Sequence, residues 1–97
     1  MPLFVSLVNW TDQGVRNAKD TVKRAEAFSA AAEKMGCKVH TFVWTVGPYD
    51  LVAIIEAPND QVYSSLALSL ARLGNTRTVS MRAYTKGEME HIVQAIQ

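Results

Sequence analysis

The chain has 97 residues, of which 48% are hydrophobic and 20% charged, a composition typical of one globular domain. Ten basic and nine acidic residues nearly cancel, so no long-range field favours nucleic acid or an anionic membrane as a partner. Cys37 is the single cysteine, and the first residues lack the basic region of a signal peptide, so the sequence predicts a cytoplasmic protein.

The first half of the chain predicts a strand, a helix and a second strand. Residues 3–8 are rich in apolar and β-branched types, as strands are. A helical period follows within residues 15–35, with Asp20 as a plausible N-cap and Gly36 where a C-cap glycine belongs. Aromatic and β-branched residues at 38–45 favour the second strand.

The second half repeats this pattern and adds a helix. Residues 50–56 form an apolar third strand, and Asn59 or Asp60 then caps a helix that Gly74 closes. Residues 76–84 predict a fourth strand and residues 86–97 a terminal helix.

This order predicts an α+β fold of the ferredoxin-like, split β-α-β-β-α-β type: a four-stranded antiparallel sheet with helices on one face and strands one and three in the centre. We expect one domain over residues 1–97, with its core in residues 1–85 and a C-terminal helix at 86–97. Because the third strand, "LVAII", is apolar on both faces, a second subunit is expected to cover the other face. The alternative is that the terminal helix folds back over that face, although twelve residues of helix are only about 18 Å long.

The alternation of side chains along a strand suggests which residues meet the helices. The wholly aliphatic sets are expected there: Leu3, Val5 and Leu7, then Leu51, Ala53 and Ile55, then Val79, Met81 and Ala83. The mixed sets are expected to face the barrel interior or a partner: Phe4, Ser6, Val8 and Trp10, then Asp50, Val52, Ile54 and Glu56, then Thr78, Ser80, Arg82 and Tyr84. The mixture of apolar and polar residues on this face is typical both of a small-molecule pocket and of a subunit interface.

The turn Gly47-Pro48-Tyr49-Asp50 before an apolar strand resembles the GYD domain family. Similar segments extend over nearly the whole chain: "TDQG" at 11–14, Asp20, Gly36, "GPYDLVAIIEAPND" and "ALSLARLGNTRTVSMRAY". Thr21 departs from the family pattern, since many relatives have proline near this position.

The GYD family is similar in layout to the dimeric α/β-barrel superfamily. That superfamily includes cofactor-free monooxygenases, muconolactone isomerases, haem-binding chlorite dismutases and the effector domains of Lrp/AsnC regulators. The resemblance therefore implies a dimeric α/β barrel, and it transfers no single activity.

Two groups of residues are candidates for function. Tyr49 and Asp50 are explained either by turn chemistry, with the carboxylate accepting backbone N–H groups, or as ligand-binding groups. His40 alternates with Phe42 and Trp44, so the three are expected on one face, where the histidine is a general base, a haem ligand or an edge-strand residue.

The first hypothesis is an oligomeric module, at least a homodimer, that binds a small, partly apolar molecule. The expected ligand-binding residues are Trp10, His40, Trp44, Tyr49, Asp50 and Arg82. A second hypothesis is a cofactor-free enzyme acting on an aromatic or lactone-like compound, with His40 or Asp50 taking the proton. A third is a purely structural subunit. The sequence predicts no metal site and no cofactor, with haem as an open alternative, and leaves open whether the protein is an enzyme.

Overall fold

The computed structural model describes all residues, 1–97, and contains four strands and four α-helices. The strands are β1 (Leu3–Trp10), β2 (Lys38–Trp44), β3 (Leu51–Glu56) and β4 (Thr76–Ala83). The helices are α1 (Asp12–Arg16), α2 (Thr21–Lys34), α3 (Asp60–Ala71) and α4 (Lys86–Gln94), with a 3₁₀ turn at Ala18–Asp20 between α1 and α2.

The sheet has the strand order β2-β3-β1-β4, and every neighbouring pair is antiparallel. Helices α2 and α3 pack side by side on one face of it. The predicted ferredoxin-like α+β fold, with β1 and β3 in the centre, is therefore confirmed.

Helix ends follow the local chemistry of the sequence. Gly36 and Gly74 end α2 and α3 with a φ of +81°, a left-handed conformation that favours glycine. The Asn59 side chain accepts a 2.9 Å hydrogen bond from the backbone N–H of Val62 and so caps α3. Asp20 makes no such bond, because the chain reaches α2 through α1 and the 3₁₀ turn.

The side-chain alternation of β3 is as predicted, whereas that of β1 and β4 is the reverse. Leu51, Ala53 and Ile55 are buried beneath the helices. On β1, however, Phe4, Ser6 and Val8 are the buried residues, and Ser80 of β4 lies opposite Ser6. The opposite, uncovered face of the sheet, called the open face below, carries Leu3, Val5, Leu7, Thr41, Val43, Val52, Ile54, Glu56, Val79, Met81 and Ala83.

The reversal has a physical cause on α3. Tyr63 places its hydroxyl between Ser6 and Ser80 and hydrogen-bonds both, so these polar residues are satisfied beneath the helix layer. The aliphatic residues of β1 and β4 consequently point away from the helices. Ser6 and Ser80, which were expected on the same face as Val52 and Ile54, therefore lie on the other face of the sheet.

A β-bulge separates His40 from the residues expected beside it. The pairing of β2 with β3 shifts between Val39 and Thr41, which leaves His40 without a partner in the register. Phe42 stays on the helix side, opposite Ala53, but the His40 ring reaches Glu56 on the open face. The expectation that His40 shares a face with Phe42 and Trp44 is therefore wrong.

Helix α4 does not cover the open face. Its apolar residues Met89, Ile92 and Val93 are exposed, and so is Ile96 just after the helix. Val43, Val79 and Met81 on the sheet are exposed as well. A capping box between Thr85 and Glu88 stabilises the first turn of α4. The folded-back alternative for this helix is therefore wrong.

Candidate functional site

A cavity of about 230 Å³ lies between the helix layer and the sheet. Most of the residues that line it are hydrophobic, among them Val8 and Ile55 on the sheet, Phe28 on α2, and Leu66 and Leu70 on α3. Well-packed interiors contain few voids larger than a water molecule, so a cavity of this size is a candidate binding site.

A row of three hydroxyl groups crosses the wall of the cavity. The Tyr63 hydroxyl lies 2.5 Å from the Ser6 Oγ and 2.6 Å from the Ser80 Oγ. The Tyr63 ring is held in place by stacking on Phe4, with the ring centroids 4.0 Å apart. Ser6 and Tyr63 both line the cavity, which gives its apolar surface a polar strip.

Thr76, at the start of β4, is the second polar feature of the lining. It is more than nine-tenths buried, yet its Oγ1 has no hydrogen-bond partner in the protein. A buried hydroxyl without a partner costs about 1–3 kcal/mol, so its presence in a cavity wall needs an explanation.

Arg24 is the only charged residue in the lining. Its guanidinium donates to the backbone oxygen of Asn17 at 2.6 Å and to that of Gly14 at 3.4 Å. The ion pairs of the protein are His40–Glu56 and Arg82–Glu88, so no carboxylate compensates the charge of Arg24.

The segment "TDQG" fastens α1 to the turn between α3 and β4 at this end of the cavity. The backbone N–H of Thr11 donates to the Asn75 oxygen at 3.0 Å, and the Thr11 hydroxyl donates to the Gly74 oxygen at 2.5 Å. The Gln13 amide donates to the Leu73 oxygen and to the Asn75 side chain, both at 2.9 Å. These bonds fix the position of Asn75 and Thr76 relative to α1.

Asp50 and Tyr49 lie near the same end of the sheet. The Asp50 carboxylate accepts a 2.8 Å hydrogen bond from the backbone N–H of Trp10 at the end of β1. The Tyr49 carbonyl accepts a bond from the Thr45 hydroxyl at 2.5 Å across the loop. The carboxylate thus bonds to backbone, as the turn interpretation predicts, although the donor belongs to β1 rather than to the hairpin.

His40 and Arg82 lie at the other end. The His40 Nε2 is 2.9 Å from the Glu56 Oε1, and this hydrogen bond lowers the pKa of the Glu56 carboxyl. The Arg82 guanidinium stacks over the Tyr84 ring, 4.6 Å from its centroid, and Arg82 pairs with Phe4 in the sheet. Trp10 lies six residues after Phe4 along β1, a length of about 20 Å.

Of the six residues predicted to bind a ligand, Trp10 is the one that lines the cavity. Trp44, at the end of β2, instead donates its indole N–H to the Thr21 hydroxyl at 3.0 Å. The six therefore do not form one cluster within a single chain. Ser6, which the sequence interpretation placed on the mixed face offered as a possible pocket, does line the cavity. That interpretation missed Arg24, Tyr63 and Thr76, and no signal in the sequence pointed to them.

No helix has both the length and the apolar character needed to cross a membrane.

The family model of the GYD domain matches residues 4–93, which is nearly the whole chain. The chain belongs to the GYD domain family. In this GYD domain, the aspartate of the family tetrapeptide is Asp50, the residue that binds the Trp10 backbone.

The GYD domain is also similar to a protein of Thermus thermophilus named glutamine synthetase and cystathionine beta-lyase binding protein. The two are 29% identical over 84 residues, which is 86% of this chain and 88% of the relative. The name describes that relative as a protein that binds two enzymes.

Proposed function

We propose that this GYD domain is a homodimeric module that binds a small, mainly apolar molecule in the cavity between the helices and the sheet. The observation that carries the proposal is a buried threonine hydroxyl with no partner, on a residue that lines a mainly apolar cavity. A ligand with one hydrogen-bonding group satisfies Thr76 and fills the void, two changes that each stabilise the folded protein.

The surface area of the chain supports a dimer. Folded monomers of this mass expose about 5,500 Å², whereas this chain exposes 6566 Å². The excess is comparable with the roughly 800 Å² that each partner buries in a standard interface. The open face is apolar and uncovered, and a second copy related by a two-fold axis presents the same complementary surface.

Catalysis is less well supported than binding. The two candidate catalytic residues, His40 and Asp50, lie at opposite ends of the sheet, and neither lines the cavity. Asp50 already accepts a backbone N–H, and His40 already bonds Glu56. A binding role requires only the cavity and its polar groups.

A second candidate function is binding to other proteins, as the name of the Thermus relative describes for that protein. In this chain the exposed apolar stripe of α4 favours it. Met89, Ile92 and Val93 recur at the spacing of one helix face, and each is exposed over about two-fifths or more of its surface. Both functions can coexist, since the stripe and the cavity are separate surfaces.

Native mass spectrometry on freshly purified protein tests the proposed binding module. Ala67 lines the cavity from α3, so Ala67→Phe fills part of the void. Ala30 is exposed on α2 outside the lining, and Ala30→Phe is the matched control. We expect wild type and Ala30→Phe to be dimers that carry a bound small mass, and Ala67→Phe to be an empty dimer.

Two outcomes contradict the proposal. If the protein is a monomer at micromolar concentration, the proposed dimer is wrong. If the bound mass persists in Ala67→Phe, the cavity is not the binding site. If the wild-type dimer is empty and also fails to bind any added apolar compound, the proposal of ligand binding is wrong.

A further inference from the structure

The charge of the cavity lining is unbalanced. Arg24 is half-buried and is the only charged group among the lining residues, and no acidic side chain lines the cavity. Asp50, at the same end of the sheet, directs its carboxylate to the Trp10 backbone and is not part of the lining. A cation beside an apolar cavity attracts an anion more strongly than it does in bulk water, because the local dielectric constant is lower.

The hydrogen bonds of Arg24 account for only part of its guanidinium. One nitrogen donates to Asn17 and another to Gly14, both through backbone oxygens at the end of α1. A guanidinium has five N–H donors, so the remaining ones have no acceptor in the protein. The two bonds to the end of α1 therefore leave donors free for a planar, bidentate acceptor.

Thr76 and Arg24 lie at the same end of the cavity. The Asn75 carbonyl, next to Thr76 in the chain, packs against Gly14, and the Gly14 carbonyl accepts from Arg24. This chain of contacts links Arg24 to the residue before Thr76, and both Arg24 and Thr76, whose hydroxyl has no partner, belong to the lining of the cavity.

We propose that the ligand of this cavity is a small monocarboxylate with an apolar body. Its carboxylate binds the free donors of Arg24 and accepts a hydrogen bond from Thr76, and its body fills the space between Phe28 and Leu66. This inference rests on the proposed function of the cavity as a small-molecule site. The volume of about 230 Å³ lies below the roughly 300–1,000 Å³ of sites for drug-sized ligands, which limits the body to about one ring or a short chain.

Three probes with the same body separate charge recognition from apolar binding: 3-phenylpropionate, 3-phenylpropanamide and propylbenzene. Binding is followed by NMR on the indole N–H of Trp10, which lines the cavity, with the indole of Trp44, which does not, as an internal reference. We expect the acid to bind about tenfold to hundredfold more tightly than the amide, as hydrogen bonds to a charged partner require.

Variants identify the source of that preference. Arg24→Gln should abolish the preference for the acid, and Arg24→Lys should retain part of it because the positive charge remains. Lys23→Gln removes the same charge from the preceding residue on α2, outside the lining, and should leave the preference unchanged. Thr76→Val should lower the affinity for the acid and for the amide to the same extent, and it should leave the affinity for propylbenzene unchanged.

The outcomes distinguish this inference from the proposed function. Equal affinities for acid and amide in wild type, or a preference that survives Arg24→Gln, overturn the carboxylate assignment while the cavity remains a binding site. If none of the three probes shifts the Trp10 signal, the proposed binding function and the carboxylate assignment both fail. If the Arg24→Gln variant does not fold, the comparison of the affinities of the wild-type protein for the acid and the amide still tests the inference.

Discussion

Gly14 lies so close to Asn75 that a Cβ atom at position 14 would be 2.1 Å from the Asn75 carbonyl oxygen. The two residues belong to segments about 60 positions apart in the chain, and their contact brings α1 against the turn before β4. The backbone of Asn75 cannot move away, because its oxygen also accepts the N–H of Thr11 at 3.0 Å. This contact holds the end of the cavity at which Arg24 and Thr76 lie.

Gly14→Ala should therefore destabilise the protein by about 1–3 kcal/mol or more, the cost of forcing an extra methyl group into a filled space. Gly87→Ala is the control, since Gly87 lies in α4 and a Cβ atom there would have no neighbouring atom within 4 Å. That substitution should stabilise by up to about 1 kcal/mol through helix propensity. Urea unfolding measures both, and equal stability of the two variants would show that the Gly14 contact is not tight.

Asp50→Ala should cost about 1–3 kcal/mol, because it leaves the backbone N–H of Trp10 without its partner. Asp50→Asn keeps an acceptor oxygen and should cost less. Asp20→Ala is the control, as the Asp20 side chain makes no capping bond and its loss should change stability by less than about 0.5 kcal/mol. Wild-type stability in Asp50→Ala, measured by the same unfolding experiment, contradicts a structural role for this carboxylate.

Met81→Glu should convert the dimer into a monomer. Met81 lies on the open face opposite Val5, and a carboxylate there is buried without a partner when two open faces meet. Leu68→Glu introduces the same charge on the exposed side of α3 and should leave the dimer intact. Sedimentation equilibrium distinguishes the cases, and a dimeric Met81→Glu protein rules out the open face as the interface.

The Glu56 carboxylate should contribute to stability in a pH-dependent way. The hydrogen bond from His40 lowers its pKa below the ordinary value of 4.5, so the stabilisation is present above that value and disappears as the pH falls through the folded-state pKa. The difference in unfolding midpoint between wild type and Glu56→Gln should shrink as the pH falls below 4.5, at constant protein concentration. His40→Ala should remove the same dependence, whereas Glu26→Gln, on the exposed side of α2, should not.

The order and ends of the main elements could be predicted because local chemistry determines them. Gly36 and Gly74 need a left-handed conformation that glycine adopts without strain, and Asn59 supplies the acceptor that the first turn of α3 lacks. The two apolar faces of β3 likewise follow from its own residues. These features depend on neighbours within a few positions, which the sequence displays directly.

The faces of β1 and the content of the site could not be predicted in this way. Alternation divides β1 into two sets but does not say which set points inward, and Ser6 is buried only because Tyr63, on a helix 57 residues later, satisfies it. The bulge at His40 reverses the expected face with no glycine or proline to mark it. Arg24 has the sequence context of a surface helix residue, and only the fold places it beside the cavity.

The central claim is a dimer that binds a small carboxylate in the cavity of each copy. A crystal structure from crystals grown with 3-phenylpropionate tests it most directly, because it locates the ligand and the interface together. We predict two copies joined through their open faces, with the phenyl ring between Phe28 and Leu66 and the carboxylate bound by Arg24 and Thr76. A ligand held between the two sheets, or a cavity that stays empty at saturating ligand, would contradict this claim.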